Sequence, residues 1–350
     1  MPNVTRRQML ASIPALGFLA QPMAATTATQ PAKPQIRVRS LNHVGLAVSD
    51  PKRTVDFYQG LFGLPVRARY SVATLLGVGA GPQFISVAPV TAGAAPSINH
   101  FCLGVESFQL DRVVTALVEH GVAKAAAAGP MKLHVDLRGA ENGGATEGTP
   151  DLLFGDPDGI VVQLQDAAYC GGGGALGDVC AAAVPAPRAG LLSIRDLSHV
   201  TVFSTDAQRS NRFYQDLFGF SIRSYQGPGA PTLAVGPAVQ FLMFTSGGGG
   251  RAGAAPRSAS INHVCFAMEG FDPDKVLKTL ETHGIAPRGS TTGPAGPMQS
   301  YVTMRMENRG GAPGGTPELY FTDPDGVLIQ LQDAKYCGGS GFLGDICRSA

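Results

Sequence analysis

The sequence predicts an α+β fold: four βαβββ modules in two tandem domains, residues 38–180 and 192–347, joined by a linker at 181–191. Two observations predict it. The chain repeats itself, and each repeat twice runs from an alternating stretch through an amphipathic stretch to several short alternating ones. Forty-six glycines and 26 prolines among 350 residues supply the many turns that short strands need.

The repeat is legible residue by residue. Leu41-Asn42-His43-Val44 returns as Leu197-Ser198-His199-Val200, and Phe57-Tyr58-Gln59-Gly60-Leu61-Phe62-Gly63 as Phe213-Tyr214-Gln215-Asp216-Leu217-Phe218-Gly219. Ile98-Asn99-His100 matches Ile261-Asn262-His263, and Asp156-Pro157-Asp158-Gly159 matches Asp323-Pro324-Asp325-Gly326. Both copies close on Tyr-Cys-Gly-Gly, then Leu-Gly-Asp, then Cys.

Within the first copy, His43–Val48 alternates as a half-buried strand does. Asp50–Phe62 reads as a helix. Asp50-Pro51 suits its start, Val55, Phe57, Tyr58, Leu61 and Phe62 form its apolar stripe, and Gly63 stops it. Short strands are expected at 66–70, 74–78 and 83–88. A second set opens at Asn99-His100, with a helix from Leu110 to His120 and strands near 133–137, 150–154 and 160–165.

Apolar residues make up 44% of the chain and charged residues 15%, enough for packed cores. The net charge of +1, without a Lys/Arg run, argues against nucleic acid, which needs concentrated positive charge. A small ligand or another protein is the expected partner. Residues 1–30 read as an export signal: Thr5-Arg6-Arg7-Gln8-Met9-Leu10, an apolar run to Ala20, then Ala24, Ala25 and Ala28. The adjacent arginines resemble a twin-arginine signal, with an ordinary secretory signal as the alternative. The apolar run is shorter than the ~20 residues of a membrane span. A periplasmic or secreted protein is expected.

The module order, with Phe-Tyr-x-x-Leu-Phe-Gly after the first strand and Asp-Pro-Asp-Gly before the last, resembles the vicinal oxygen chelate superfamily of glyoxalases, bleomycin-resistance proteins and extradiol dioxygenases. The resemblance covers nearly all of the chain after the export signal. It implies a divalent-metal site in each copy, with Fe(II) first and Mn, Ni or Zn as alternatives. The implied ligands are His43, His100 and Gln163 in the first copy, and His199, His263 and Gln330 in the second. Four of the seven histidines fall on these first strands. Gln163 and Gln330 stand where extradiol enzymes place a Glu, and Gln165 and Gln332 share their strand face. The alternative is that the histidines are buried, hydrogen-bonded strand residues.

Four tandem modules look most like the extradiol enzymes. That likeness implies a substrate-orienting Tyr320, ten residues before Gln330, where the first copy has Leu153. Tyr301 against His134 is a second difference between the copies. The function so implied is metal-dependent ring cleavage of a small phenolic substrate in the second copy. A non-catalytic binding protein, and a glyoxalase- or epimerase-type lyase or isomerase, are the alternatives.

Cys170/Cys180 and Cys337/Cys347 bracket glycine-rich loops and are expected as disulfides in an exported protein, with metal-binding or free thiols as the alternative. Cys102 and Cys265 follow the second His of each copy on the same face, as core thiols or cavity-lining groups.

Overall fold

Local signals set the elements. The computed structural model describes residues 36–70, 72–246, 258–290 and 293–347; the expected export signal lies outside them. The first copy runs β1 (Val38–Val48), α1 (Pro51–Phe62), β2 (Val66–Arg69), β3 (Thr74–Gly77), β4 (Phe84–Pro89), β5 (Ser97–Val105), α2 (Leu110–Glu119), β6 (Ala123–Lys124), β7 (Lys132–Arg138), β8 (Thr149–Gly155) and β9 (Val161–Asp166). The second repeats it: β10 (Ile194–Phe203), α3 (Ala207–Phe218), β11 (Ile222–Tyr225), β12 (Pro231–Ala234), β13 (Phe241–Thr245), β14 (Ser260–Met268), α4 (Pro273–Thr282), β15 (Ala286–Pro287), β16 (Gln299–Arg305), β17 (Thr316–Thr322) and β18 (Leu328–Asp333). β6 and β15 are additions to the expected pattern, because two residues are too few to carry a period.

Helix α1 starts and stops where its caps stand. Asp50 accepts from Arg53 N at 3.0 Å, and Gly63 takes the left-handed conformation at φ 66° while its N–H bonds Gln59 O at 2.9 Å. Asp206 and Gly219 repeat this on α3. A side-chain N-cap contributes about 1 kcal/mol.

Each copy is one nine-stranded sheet, ordered β2-β3-β4-β1-β5-β9-β8-β7-β6 in the first and equivalently in the second. The antiparallel pairing of β1 with β5 joins the two modules. One continuous core runs through both copies. Helix α1 supplies Phe62 against Phe266 of the other sheet (5.6 Å), and α3 supplies Phe213 against Phe154 (6.3 Å). Apolar burial at about 25 cal/mol per Å² therefore stabilises the pair of copies together.

The Asp-Pro-Asp-Gly turns lock the same junction. Asp158 accepts from Ser204 Oγ (2.6 Å) and Thr205 N (2.9 Å), and pairs with Arg209, at the start of α3. Asp325 does likewise with Ser49 N, Arg53 and Thr54 at the start of α1. The segment between the sheets is strapped to the first copy: Val66 and Val184 exchange two backbone bonds, and Leu192 N–H reaches Leu61 O.

Candidate metal centres

Sheet register assembles the sites. Residues paired across neighbouring strands share a face, and the register of β4, β1, β5, β9, β8 and β7 lines up Phe84, His43, Cys102, Gln163, Leu153 and His134. In the second copy the row is Phe241, His199, Cys265, Gln330, Tyr320 and Tyr301. His100 and His263 stand on β5 and β14 beside these rows. The expected ligands of each copy thus come together from all three strands.

In the first copy His43 Nε2 lies 3.0 Å from Gln163 Oε1 and 3.3 Å from His100 Nε2. The surrounding bonds fix what these atoms carry. Asn42 Nδ2 donates to the Tyr169 carbonyl at 2.9 Å, so its Oδ1, 2.8 Å from His43 Nδ1, accepts the imidazole proton. Asn99 Oδ1 accepts likewise from His100 Nδ1 at 2.7 Å. Gln163 Nε2 donates to Asp151 Oδ1 at 3.2 Å, which turns its Oε1 toward His43. Burial, then the neighbouring His100, holds His43 well below the ordinary imidazole pKa, so it is neutral.

Three lone pairs therefore face one another with no proton to share. Neighbouring ligands on an ion at about 2.0–2.2 Å stand roughly 3.0–3.5 Å apart, so the donor set fits a divalent cation. Gly45 makes the room: a Cβ there would overlap the His100 ring and Asn99 Oδ1. Among the described residues no group of three His, Cys, Asp or Glu gathers. The third donor in each copy is a glutamine amide.

The second copy keeps the triad and changes its surroundings. His199 Nε2 is 3.0 Å from Gln330 Oε1 and 3.4 Å from His263 Nε2, and His263 Nδ1 donates to Asn262 Oδ1 at 2.7 Å. Burial lowers the pKa of His263 to about 4. Ser198 Oγ, 3.2 Å from His199 Nδ1, takes the place of Asn42. Gln330 Nε2 is buried without a hydrogen-bond partner. A buried amide N–H left so costs about 1–3 kcal/mol, and it marks a donor for a ligand or water.

Sequence reasoning missed a carboxylate beside each triad, half-buried as Asp151 in the first copy and buried as Glu318 in the second. Asp151 accepts from Gln163, from Gln165 (2.7 Å) and from Tyr169 OH (3.4 Å), and pairs with Arg138 at 3.5 Å. Glu318 accepts from Arg305 Nε (2.8 Å), Tyr336 OH (3.2 Å) and Tyr320 OH (3.5 Å). The signal was available: Asp151 and Glu318 stand two residues before Leu153 and Tyr320, on the same strand face. Gln165 and Gln332 spend their amide nitrogens on the Pro150 and Pro317 carbonyls, and Gln332 Oε1 is buried without a hydrogen-bond partner.

A cavity of about 790 Å³ opens beside the second triad, lined by Asn262, Arg288, Tyr301, Glu318 and Tyr320, with Ile98 contributed by the first copy. Its size falls in the range of small-molecule sites, roughly 300–1,000 Å³. The Tyr320 ring meets His263 edge-on at 5.4 Å and stacks on Tyr301 at 5.2 Å. In the first copy Leu153 and His134 occupy those places, and His134 turns to Asp136 at 2.8 Å. The thiols of Cys102 and Cys265 are fully buried, and burial pushes both well above the usual thiol pKa. They are packed thiols between His and Gln. Cys170–Cys180 and Cys337–Cys347 are both disulfides.

Residues 40–164 and 196–331 match the family described as the Glyoxalase/Bleomycin resistance protein/Dioxygenase superfamily. The chain is 21% identical over 148 residues to the uncharacterized protein YaeR of Escherichia coli (strain K12), covering 41% of this chain and 99% of YaeR. Among solved structures it resembles the Mn(II)-bound glyoxalase from Novosphingobium aromaticivorans (TM-score 0.53, 16% identity, 85% of this chain and 82% of that one). It also resembles the 2,3-dioxygenase LapB from Pseudomonas sp. KL28 (0.55, 14%, 85% and 92%) and the homoprotocatechuate 2,3-dioxygenase from Arthrobacter globiformis (0.55, 16%, 86% and 82%). At these identities the likeness speaks to the fold alone.

Proposed function

Because the chain belongs to the Glyoxalase/Bleomycin resistance protein/Dioxygenase superfamily, we propose that it is a divalent-metal enzyme whose second copy acts on a small phenolic or other vicinal-oxygen substrate with dioxygen. His199, His263 and Gln330 would hold the ion there, and His43, His100 and Gln163 one in the first copy. Fe(II) is the first choice, with Mn, Ni or Zn compatible with the imidazoles. When bound, such an ion would supply Lewis-acid polarisation of substrate oxygens. The two disulfides, with the export signal expected from residues 1–30, support a periplasmic or secreted location.

The observation that carries the reading is that Tyr320, on the wall of the cavity, meets the His263 ring of the second triad edge-on. Tyr301 and Tyr320 line the cavity wall as a stacked pair, and the Tyr320 hydroxyl would orient a substrate oxygen. Gln330 Nε2 brings a further unspent donor. Oxygen consumption across a panel of catechols tests this. Tyr320→Phe should lower turnover on the order of 100-fold with metal content unchanged, and His263→Ala should abolish it. Uptake that survives His263→Ala and disappears in His100→Ala would move the chemistry to the first copy.

Glu318 favours a second reading, a glyoxalase- or epimerase-type proton transfer, because it places a buried carboxylate on the cavity wall. Solvent-deuterium incorporation without oxygen uptake, lost in Glu318→Gln, would select it. Ligand binding with neither activity would leave a binding protein.

A further inference from the structure

We infer that the cystine hairpin closing the first copy positions its metal centre through Asn42, and that the second copy lacks this link. The inference rests on the metal reading above for its consequence, and on four buried groups for its geometry.

The hairpin is built and docked by its backbone. Cys170 N and Gly172 N both donate to Gly177 O at 3.1 Å, and Gly173 and Val179 exchange two bonds at 3.0 Å. Arg138 and Thr149, on β7 and β8, donate to the Gly172 and Gly174 carbonyls at 3.2 and 2.7 Å. The residue before the first cysteine, Tyr169, is buried with its ring 5.8 Å from that of His43. Its carbonyl accepts from Asn42 Nδ2.

Asn42 is fully buried and occupies a β-bulge, where the pairing of β1 with β5 slips between Leu41/Leu103 and His43/Cys102. A bulge re-aims side chains, and here it lets adjacent residues serve one site. With its nitrogen on Tyr169, Asn42 has only its oxygen for His43. The His43 proton is thereby held on Nδ1, and the Nε2 lone pair is left facing Gln163 and His100. The order of control runs from cystine to Tyr169 carbonyl, to Asn42 amide, to imidazole.

The second copy has the same bulge, between Leu197/Phe266 and His199/Cys265, with Ser198 in it. Its hydroxyl meets His199 Nδ1, and among the described residues it makes no bond to the Tyr336 carbonyl. A hydroxyl both donates and accepts, so it does not dictate the tautomer. The Cys337–Cys347 hairpin is equally closed, and its Tyr336 ring packs 5.6 Å from that of His199, but no hydrogen bond among the described residues carries it through Ser198 to the imidazole. Nature has thus supplied the control within one chain.

Two measurements test this. In metal-free protein, 15N NMR of labelled histidine should show a slowly exchanging His43 Nδ1–H in the oxidised state. It should be lost on anaerobic reduction, in Cys170→Ser/Cys180→Ser and in Asn42→Ala, with His199 unmoved and circular dichroism confirming the fold. In Co(II) titrations, with His263→Ala isolating the first site and His100→Ala the second, reduction should weaken the first site by roughly 10–100-fold and leave the second unchanged. Asn42→Ser should bring the first site to the reduced affinity and make it insensitive to reduction. Equal weakening of both sites, weakening of neither, or reduction sensitivity surviving Asn42→Ser would overturn the inference. Should Co(II) bind neither site, the metal reading fails by itself and the His43 Nδ1–H signal decides the positioning role: loss on reduction upholds it, persistence refutes it.

Discussion

Tyr58 of the first copy donates its hydroxyl to Asp323 Oδ2 of the second at 3.2 Å, and Tyr214 of the second returns the bond to Asp156 of the first at 3.3 Å. Burial outweighs the backbone N–H bonds these carboxylates accept, and each is pushed up to about 6. The folded protein therefore binds these protons more tightly than the unfolded chain does. Their contribution is fully present below about pH 4 and is lost as pH rises toward 6, at about 2–3 kcal/mol per site. Denaturant unfolding of wild type and of Asp156→Asn/Asp323→Asn should differ by an amount that grows across that window and then levels. The buried histidines, with lowered values, run the other way in both proteins and cancel from the difference. A pH-independent difference would refute the assignment.

Gly45 is the space in which the His100 ring sits. Gly45→Ala should displace that ring and weaken metal binding in the first copy by roughly 10–100-fold, the range found when a ligand loses its orientation. The second copy carries Thr201 at the paired position and should be unaffected. Site-resolved metal titration checks this, and an unchanged first site would show that His100 is no ligand.

Arg305 is fully buried against Glu318, whereas Arg138 and Asp151 sit farther apart with Asp151 partly exposed. Removing one partner of a buried pair leaves an unpaired charge. Arg305→Ala should cost about 3–5 kcal/mol, and Arg138→Ala less. Equal losses in urea unfolding would contradict this ordering.

His263→Ala and His100→Ala should each lower the metal bound per chain from two ions to one after anaerobic loading with Fe, Mn, Ni or Zn. Wild-type protein that takes up none of these ions would sink both centres.

The halves of this chain were legible in advance because their signals are local. Asp50 and Gly63 bound a helix by caps that need only their own turn, and the alternation near His43 predicts a strand from neighbours alone. The repeat then placed His43, His100, His199 and His263 on matching strands. That Gln163 comes to His43, 120 residues away, was expected from the family likeness.

What only the tertiary structure decided lies in long-range register and burial. No periodicity shows that Asp158 and Asp325 reach the helix starts of the opposite copy, since that contact exists only once both sheets share a core. Nor does it show that Asp151 and Glu318 are taken up by buried arginines, or that Asn42 spends its nitrogen on Tyr169 and so aims the His43 lone pair. Sequence sets which groups lie on a face; the fold sets which of their protons and lone pairs are already spent, because hydrogen bonds saturate and each buried donor must choose one partner.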